Sequence, residues 1–306
     1  MFSARNWLES SKNLLKRIMS NPEEHRIDEI LFALGSAHFK QRDRSVLKSL
    51  GDYEFKVFSQ FGDDGIIEYL VSSIPCDNKT FFEFGVGNYA ESNTRMLLQY
   101  RNWTGYIIDS SKSNIDKIKQ MALFWRHSII AECSFITKEN IAEIIDRVIR
   151  SIGPIDLLHI DLDGNDYWIL KEIEIRPSII ICEYNSILGS ERAISVPYND
   201  QFVRHKAHYS NLYWGASLPA FDHILSQRGY SFIGANTAGN NAYFVRNELL
   251  SDQIQSTTIY EGFVESKYRE SRDSSGNLTF QMGPNRLDVI RGLDVVNIKT
   301  GELETL

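Results

Sequence analysis

The chain has 306 residues, of which 42% are hydrophobic, enough for one large α/β domain with extensions or for two small domains. Its formal net charge of -7 argues against binding to nucleic acid through a global positive field, so no nucleic-acid partner is expected. Cys76, Cys133 and Cys182 form no CxxC pair and lie in or beside apolar runs, which indicates neither a disulfide framework nor a zinc site and fits a reducing cytoplasm.

The first 50 residues are predicted to form a helical N-terminal extension. Apolar residues recur on one face of residues 4–20, with basic residues among them, and a second helical stretch covers residues 27–39. For the first helix, packing on its own domain or on a partner subunit is favoured over a membrane surface, so it is the expected contact of a homo-oligomer. No secretory signal and no run of about 18 apolar residues is present, so we expect a soluble, cytoplasmic protein.

Short apolar runs alternate with helix-period segments over residues 51–250. This pattern predicts a Rossmann-like α/β fold with a mostly parallel seven-stranded sheet that is covered on both faces. Only about eight residues, 234–241, join the last two runs, too few for a crossover helix, so the last strand should be antiparallel. Residues 251–306 are more polar and are predicted to form a small C-terminal extension. The predicted strands are Thr80–Phe84, Trp103–Ile108, Ser128–Ala131, Ile155–Ile160, Ile179–Cys182, Tyr230–Ile233 and Ala242–Arg246.

The first predicted strand runs into a glycine-rich turn, FFEFGVGNYA. Gly85 and Gly87 allow the chain to turn sharply and leave room for a ligand against the peptide groups. The next strand ends in Asp109, 24 residues after Gly85, close to the spacing expected of an acid that binds the ribose hydroxyls of a nucleotide. The two segments together predict an adenosine-containing ligand.

NAD and S-adenosylmethionine both contain that ribose, but the charge of the turn indicates which of the two would bind there. Glu83 would repel a pyrophosphate, whereas it would attract the sulfonium and the α-amino group of S-adenosylmethionine. The antiparallel last strand also favours the methyltransferase fold over the dinucleotide-binding fold. We therefore predict S-adenosylmethionine as the cofactor.

These segments carry a family resemblance. FFEFGVGNYAESNT, with GYIID after it, resembles the cofactor motifs of the FkbM-type and related sugar O-methyltransferases, although Tyr89 stands at the usual third glycine. SQFGDDG is similar to their Q-x-G-(E/D)-D-G element, and DLDG to their I-D-x-(E/D)-G motif. The resemblance covers about residues 58–246 and implies O-methylation of a sugar hydroxyl. The predicted cofactor contacts are Gln60, Glu83, Gly85, Gly87, Asn93, Thr94, Asp109, Ser110, Cys133, Ser134 and Asp161.

Polar residues follow the fourth and fifth predicted strands. These strand ends are neighbours in the methyltransferase order, so Asp161, Asp163, Glu183 and Asn185 should form one cluster. Hard oxygen ligands of this kind suit Mg²⁺ or another divalent cation, which would lower the pKa of an acceptor hydroxyl. The alternative is that some of these residues cap the next helix or bind the cofactor's amino group.

A connection of roughly 30 residues follows Asn185, far longer than usual for this position. It contains cationic and aromatic side chains, which suit a carbohydrate or a phosphate-bearing acceptor. Without a metal, the general base would be Asp161, Asp163 or a histidine of this loop, His205 or His208. The alternative for each histidine is a surface position without a function.

The sequence thus predicts an S-adenosylmethionine-dependent O-methyltransferase, metal-assisted or not, with a small-molecule or glycan acceptor. Two other classes remain open. One is a NAD-dependent sugar dehydrogenase or epimerase, which would leave Glu83 and the antiparallel last strand unexplained. The other is a non-catalytic binding protein, which would not require acidic groups at two strand ends.

Overall fold

The structure is a computed structural model and describes residues 22–41 and 49–306. The amphipathic helix predicted over residues 4–20 lies outside the described residues, and so does the subunit contact proposed for it. The second predicted helix is confirmed, because helix α1 spans Pro22–Gln41. Within the described ranges, no helix is long and apolar enough to cross a membrane.

The central sheet has seven strands in the order β3-β2-β1-β4-β5-β8-β7. The pairs from β3 through β5 are parallel, whereas β8 runs antiparallel to both of its neighbours. This strand order confirms the predicted Rossmann-like methyltransferase fold. The strands are β1 (Thr80–Phe84), β2 (Thr104–Asp109), β3 (Ile129–Cys133), β4 (Leu157–Ile160), β5 (Ile179–Glu183), β7 (Tyr230–Ala235) and β8 (Asn241–Arg246).

Helices flank the sheet and connect its strands. The longer connections are amphipathic, as in Ile141–Ile152, where four buried apolar residues recur at helical spacing against the sheet. After α1 the helices are α2 (Asp63–Ser73), α3 (Arg95–Tyr100), α4 (Lys112–Gln120), α5 (Ala122–Arg126), α6 (Ile141–Ile152), α7 (Asp166–Glu172), α8 (Arg204–Ala207), α9 (Leu218–Gln227), α10 (Ile259–Gly262) and α11 (Asn285–Ile290).

The core lies on both faces of the sheet. Every residue of β1 and of β5 is buried, as expected of strands covered from both sides. Phe82 and Phe84 pack into the cluster on one face, and Phe81 packs with Leu157 in the cluster on the other. Functional side chains are therefore left to the strand ends and the loops.

A second, smaller sheet joins the tail to the long loop after β5. It has the order β10-β9-β6, formed by β6 (Ile194–Ser195), β9 (Asp294–Asn297) and β10 (Leu303–Thr305). The antiparallel pair β9–β10 forms a hairpin in the C-terminal extension. Its pairing with β6 was not predicted, and it means that residues 251–306 share a sheet with residues of the predicted 51–250 domain.

Candidate functional site

The glycine turn after β1 has two glycines with different surroundings. Gly85 has a φ of +65°, and a Cβ built on it would lie 1.7 Å from the carbonyl oxygen of Asp161. Gly87 has a φ of +55°, and a Cβ there would meet no atom within 4 Å. Gly85 is thus required for packing against the end of β4, whereas the backbone at Gly87 faces open space that a ligand can fill.

Tyr89 occupies the position where the usual motif has a third glycine. Its φ is +62°, the left-handed conformation that a glycine would adopt without strain. The side chain is fully buried, and its hydroxyl lies 3.1 Å from the Thr94 hydroxyl. Burial and this hydrogen bond hold the strained conformation, so the turn keeps its shape without the third glycine.

Glu83, the residue of the charge argument made from the sequence, is held by a network of hydrogen bonds. Its carboxylate is buried and accepts hydrogen bonds from the Ser92 hydroxyl at 2.6 Å and from the Asn93 backbone N–H at 3.1 Å. The Thr94 hydroxyl and backbone N–H also donate to it. With both oxygens used in this way, Glu83 supports the loop that carries Asn93 and Thr94 rather than presenting a free charge to a ligand.

His159 on β4 makes the fifth hydrogen bond to Glu83, and sequence reasoning did not single it out. Its Nδ1 lies 2.9 Å from Glu83 Oε1, and its Nε2 lies 3.2 Å from Asn93 Nδ2. Burial disfavours a charged ring, but the hydrogen bond and the charge of Glu83 outweigh it, and the pKa of His159 is raised. Glu83 and His159 are paired in the register of β1 and β4, so an alignment of these two strands could have revealed the contact.

Asp109 lies at the end of β2, beside the glycine turn as predicted. Its Oδ2 accepts a hydrogen bond from the Gly87 N–H at 2.8 Å, and its Oδ1 accepts one from the Ser111 N–H at 2.8 Å. Three further predicted cofactor contacts, Ser110, Cys133 and Ser134, lie beside Asp109. The thiol of Cys133 lies 3.5 Å from the carbonyl oxygen of Ser110. The backbone N–H of Ser134 donates to the carbonyl oxygen of Asp109 at 3.2 Å.

The SQFGDDG segment is built around two buried aspartates. Asp64 Oδ2 accepts hydrogen bonds from three consecutive backbone N–H groups, at 57–59, which folds the loop onto the start of α2. Asp63 accepts side-chain hydrogen bonds from Asn236 and Asn241, which ties α2 to the β7–β8 turn. Gln60 is exposed at the surface of this loop. The two acids are therefore structural, and Gln60 is the exposed residue of this segment that a ligand can contact.

Three predicted acids meet at the ends of β4 and β5. Carboxylate oxygens of Asp161, Asp163 and Glu183, which we call the acid group, lie within 4.8 Å of one another. Asp163 is exposed and has a φ of +54°. Arg204 of the long loop donates to its Oδ1 at 2.7 Å. The acid group thus faces the loop, with one guanidinium beside three carboxylates.

Burial and mutual repulsion raise the pKa values of two members of the acid group. Burial first and the charge of Asp163 second raise the pKa of Glu183 to about 8, against the attraction of Arg204. Burial and then the charge of Glu183 raise the pKa of Asp161. Glu183 Oε2 is buried without a hydrogen-bond partner among the described residues. A proton or a cation would relieve this repulsion.

The structure does not bring Asn185, the fourth predicted metal ligand, to the acid group. Its Nδ2 donates to the carbonyl oxygens of Leu212 and Trp214, each at 3.0 Å. Its Oδ1 accepts the backbone N–H of Ile187 at 3.1 Å. All polar atoms of the amide are used to shape the long loop, so Asn185 has a structural role here.

The two candidate histidines also lie apart from the acid group. His205 is exposed on α8, and among the described residues neither histidine hydrogen-bonds an acid of the group. The Nδ1 atom of His208 lies 2.7 Å from the Ser210 hydroxyl, and burial lowers the pKa of this ring. The loop residue that reaches the acid group is Arg204, beside Trp214 at 4.6 Å from the ring centre.

Asp166 holds the acid-bearing loop in place and was not predicted. Its two oxygens accept the backbone N–H groups of Leu162 at 2.6 Å and Gly164 at 2.9 Å. Asn165, the residue before α7, makes no side-chain capping bond and instead donates to the Asn199 carbonyl at 2.8 Å. The turn between Asp161 and Asp163 is therefore fixed from the first turn of α7.

No protein-family profile matches the chain, and no curated protein matches it. Solved structures with a similar fold include a candidate caffeoyl-CoA O-methyltransferase from Staphylococcus aureus, with 13% identity, a TM-score of 0.41, and coverage of 72% of this chain and 98% of that one. An O-methyltransferase from Bacillus cereus in complex with SAH has 12% identity, a TM-score of 0.38, and coverage of 77% and 97%. The N-terminal domain of EvdMO1, in the presence of SAH and D-fucose, has 12% identity, a TM-score of 0.39, and coverage of 74% and 95%.

Proposed function

We propose that the chain is an S-adenosylmethionine-dependent O-methyltransferase that acts on a hydroxyl of a sugar or a sugar phosphate, with a divalent cation at the acid group. The observation that carries the proposal is the placement of two features at one edge of the sheet. The open backbone at Gly87, beside Asp109, lies at the ends of β1 and β2, and the acid group lies at the ends of β4 and β5. The sugar acceptor rests on the sequence resemblance.

The glycine turn fits the proposed cofactor, because a ligand can approach Gly87 where a side chain would otherwise stand. Asp109 would hold the ribose hydroxyls, with Ser110, Cys133 and Ser134 beside the adenine. S-adenosylmethionine, when bound, supplies a methyl group on a positively charged sulfur. The contribution of the chain is to hold donor and acceptor in line, which replaces a chance encounter by a fixed geometry.

The acid group fits a divalent cation, because it offers three hard oxygen ligands and one of them, Glu183 Oε2, is buried without a partner among the described residues. A bound cation would lower the pKa of an acceptor hydroxyl that it touches. Asp161 and Glu183 would hold the cation from the buried side. Asp163 would complete the set from the exposed side, where Arg204 now neutralises it.

Titration calorimetry with S-adenosylmethionine and with NAD tests the cofactor. We expect S-adenosylmethionine alone to bind, and Asp109→Ala to weaken that binding by about 100-fold, because two hydrogen bonds to a charged group would be lost. Asp116→Ala is the matched control, since Asp116 is a surface acid on α4 that pairs with Lys112. Binding of NAD, or unchanged affinity in Asp109→Ala, would contradict the proposed cofactor site.

Chelation tests the cation separately from the cofactor. We expect methyl transfer, measured as S-adenosylhomocysteine release over a panel of sugars and sugar phosphates, to fall at least about tenfold in EDTA and to return when Mg²⁺ is added back. S-adenosylmethionine binding should persist in EDTA, because its proposed contacts are separate from the three carboxylates except at Asp161. Equal rates with and without EDTA would exclude an essential ion and leave Asp161 or Glu183 as the proposed base.

A further inference from the structure

A cavity of about 560 Å³ opens at the surface beside the β7–β8 turn. It lies between the SQFGDDG loop, the β7–β8 turn and the C-terminal extension, and residues that line it include Lys56, Gln60, Phe61, Thr237, Lys267 and Tyr268. Strand β7 is parallel to β5, because both pair antiparallel with β8. The β7–β8 turn is therefore at the same edge of the sheet as the acid group.

Tyr268 lies on a segment that is held to the end of β5. Its ring lines the cavity and stacks on Phe61, with ring centres 6.2 Å apart and planes 14° from parallel. Two residues earlier, the hydroxyl of Ser266 lies 2.8 Å from the hydroxyl of Ser186, which follows Glu183 by three residues. A ring bound against Phe61 and Tyr268 would thus lie on the side of the protein where β5 ends.

The cavity wall is cationic even though the chain carries a net charge of -7. Lys267 makes no hydrogen bond or ion pair with the described residues. Lys56 donates to the Gln60 carbonyl at 2.8 Å, and its ion pair with the exposed Glu91 is long, at 3.8 Å. The acid in the wall, Glu54, accepts hydrogen bonds from the backbone N–H and the hydroxyl of Thr237, which hold its carboxylate against the β7–β8 turn. The wall therefore carries two ammonium groups against one carboxylate.

We propose that this cavity binds the acceptor, and that the acceptor is a sugar bearing an anionic group, a phosphate or a carboxylate, held by Lys267 and Lys56. The sugar ring lies against Phe61 and Tyr268, since aromatic faces suit the apolar face of a sugar. Ammonium groups bind such anions through charge-assisted hydrogen bonds. This inference rests on the proposed function and narrows its acceptor class. The cavity of similar volume around Tyr198 and Phe202 offers Glu139 and Asp200 instead, which would repel an anion.

The test is calorimetry on the full chain with saturating S-adenosylhomocysteine. The probes are four hexose 1-phosphates, the matching free hexoses and the matching hexuronates, which separate phosphate from carboxylate. We expect at least one anionic probe to bind about tenfold or more tightly than its free hexose. Lys267→Gln and Lys56→Gln should each remove most of that difference. Lys119→Gln, at an exposed lysine on α4 outside the cavity, should leave it unchanged.

Two results would overturn the inference. The first is that no anionic probe binds more tightly than its free hexose. The second is that the difference survives in both cavity variants. A wild-type chain that fails to bind S-adenosylhomocysteine would instead overturn the proposed function, and this inference with it. Binding of S-adenosylhomocysteine without anion preference would overturn the inference alone.

Discussion

Glu183→Gln is expected to lower methyl transfer by about 10²- to 10⁴-fold, the range that a positioned acid–base group contributes. Glutamine keeps the shape of the side chain but removes the charge, so it can neither hold a cation strongly nor accept the acceptor's proton. Cation affinity should rise with pH through about 8 in the wild type, because the ligand must lose its proton first. The variant should lose that rise. Rates and Mg²⁺ titrations across about pH 6.5–9.5, a range of roughly ±1.5 units around that pKa, measure both effects.

The same variant should fold at least as well as the wild type. Glu183 is buried beside two other carboxylates, and its Oε2 has no partner among the described residues, so removal of its charge relieves repulsion. Thermal unfolding separates this loss of activity from a loss of structure. Glu143→Gln, an exposed acid on α6, is the matched control and should change neither property. Full activity in Glu183→Gln would contradict the assignment of the acid group.

The sheet could be predicted because each buried parallel strand is a short, continuous run of apolar residues. Thr80–Phe84 was predicted with the bounds that the structure shows, and the other six central strands within two residues at each end. The short connection between β7 and β8 was sufficient to make β8 antiparallel, since eight residues cannot cross over the sheet. The second sheet could not be found in this way, because β6 pairs with a strand about 100 residues further along the chain.

Residues of the candidate site could be located from the sequence where the end of a strand alone fixes their position. Asp109, Asp161 and Glu183 follow directly from the ends of β2, β4 and β5. The hydrogen-bond partners of Glu83 could not be predicted, because they come from the loop at 92–94 and from His159 on the neighbouring strand. A carboxylate within a strand facing a histidine in register is a pair that only the strand alignment reveals.

Loop and tail residues were the least predictable part of the site. Asn185 follows β5 directly, yet its amide is used by carbonyl groups 27 and 29 residues away. Tyr268 and Arg286 come from the C-terminal extension, where the sequence has little periodicity. Arg286 is buried and donates to the Ser266 hydroxyl at 2.7 Å, and Ser266 in turn contacts Ser186 beyond β5. Polar contacts between residues so far apart in the chain do not produce a recognisable spacing in the sequence, so they could not be predicted from it.

Gly85→Ala is expected mainly to lower the stability of the protein, and Gly87→Ala mainly to weaken ligand binding. At Gly85 a methyl group would collide with the Asp161 carbonyl oxygen, which is backbone and cannot move aside. Strain at positive φ and this overpacking together should lower the free energy of unfolding by about 2–5 kcal/mol. At Gly87 only the strain applies, about 1–2 kcal/mol, because a methyl group there meets no protein atom within 4 Å.

For the affinity for S-adenosylhomocysteine, Gly87→Ala should be the more damaging of the two substitutions. A methyl group on Gly87 would occupy the space proposed for the ligand, so S-adenosylhomocysteine should bind at least about tenfold more weakly to a chain that remains folded. Tyr89 shows that this turn can hold a non-glycine residue at positive φ, so folding of Gly87→Ala is a reasonable expectation. Denaturant titration and calorimetry on both variants give the comparison. If Gly87→Ala binds S-adenosylhomocysteine like the wild type, the cofactor does not lie against this turn, because no other atom of the protein competes for that space.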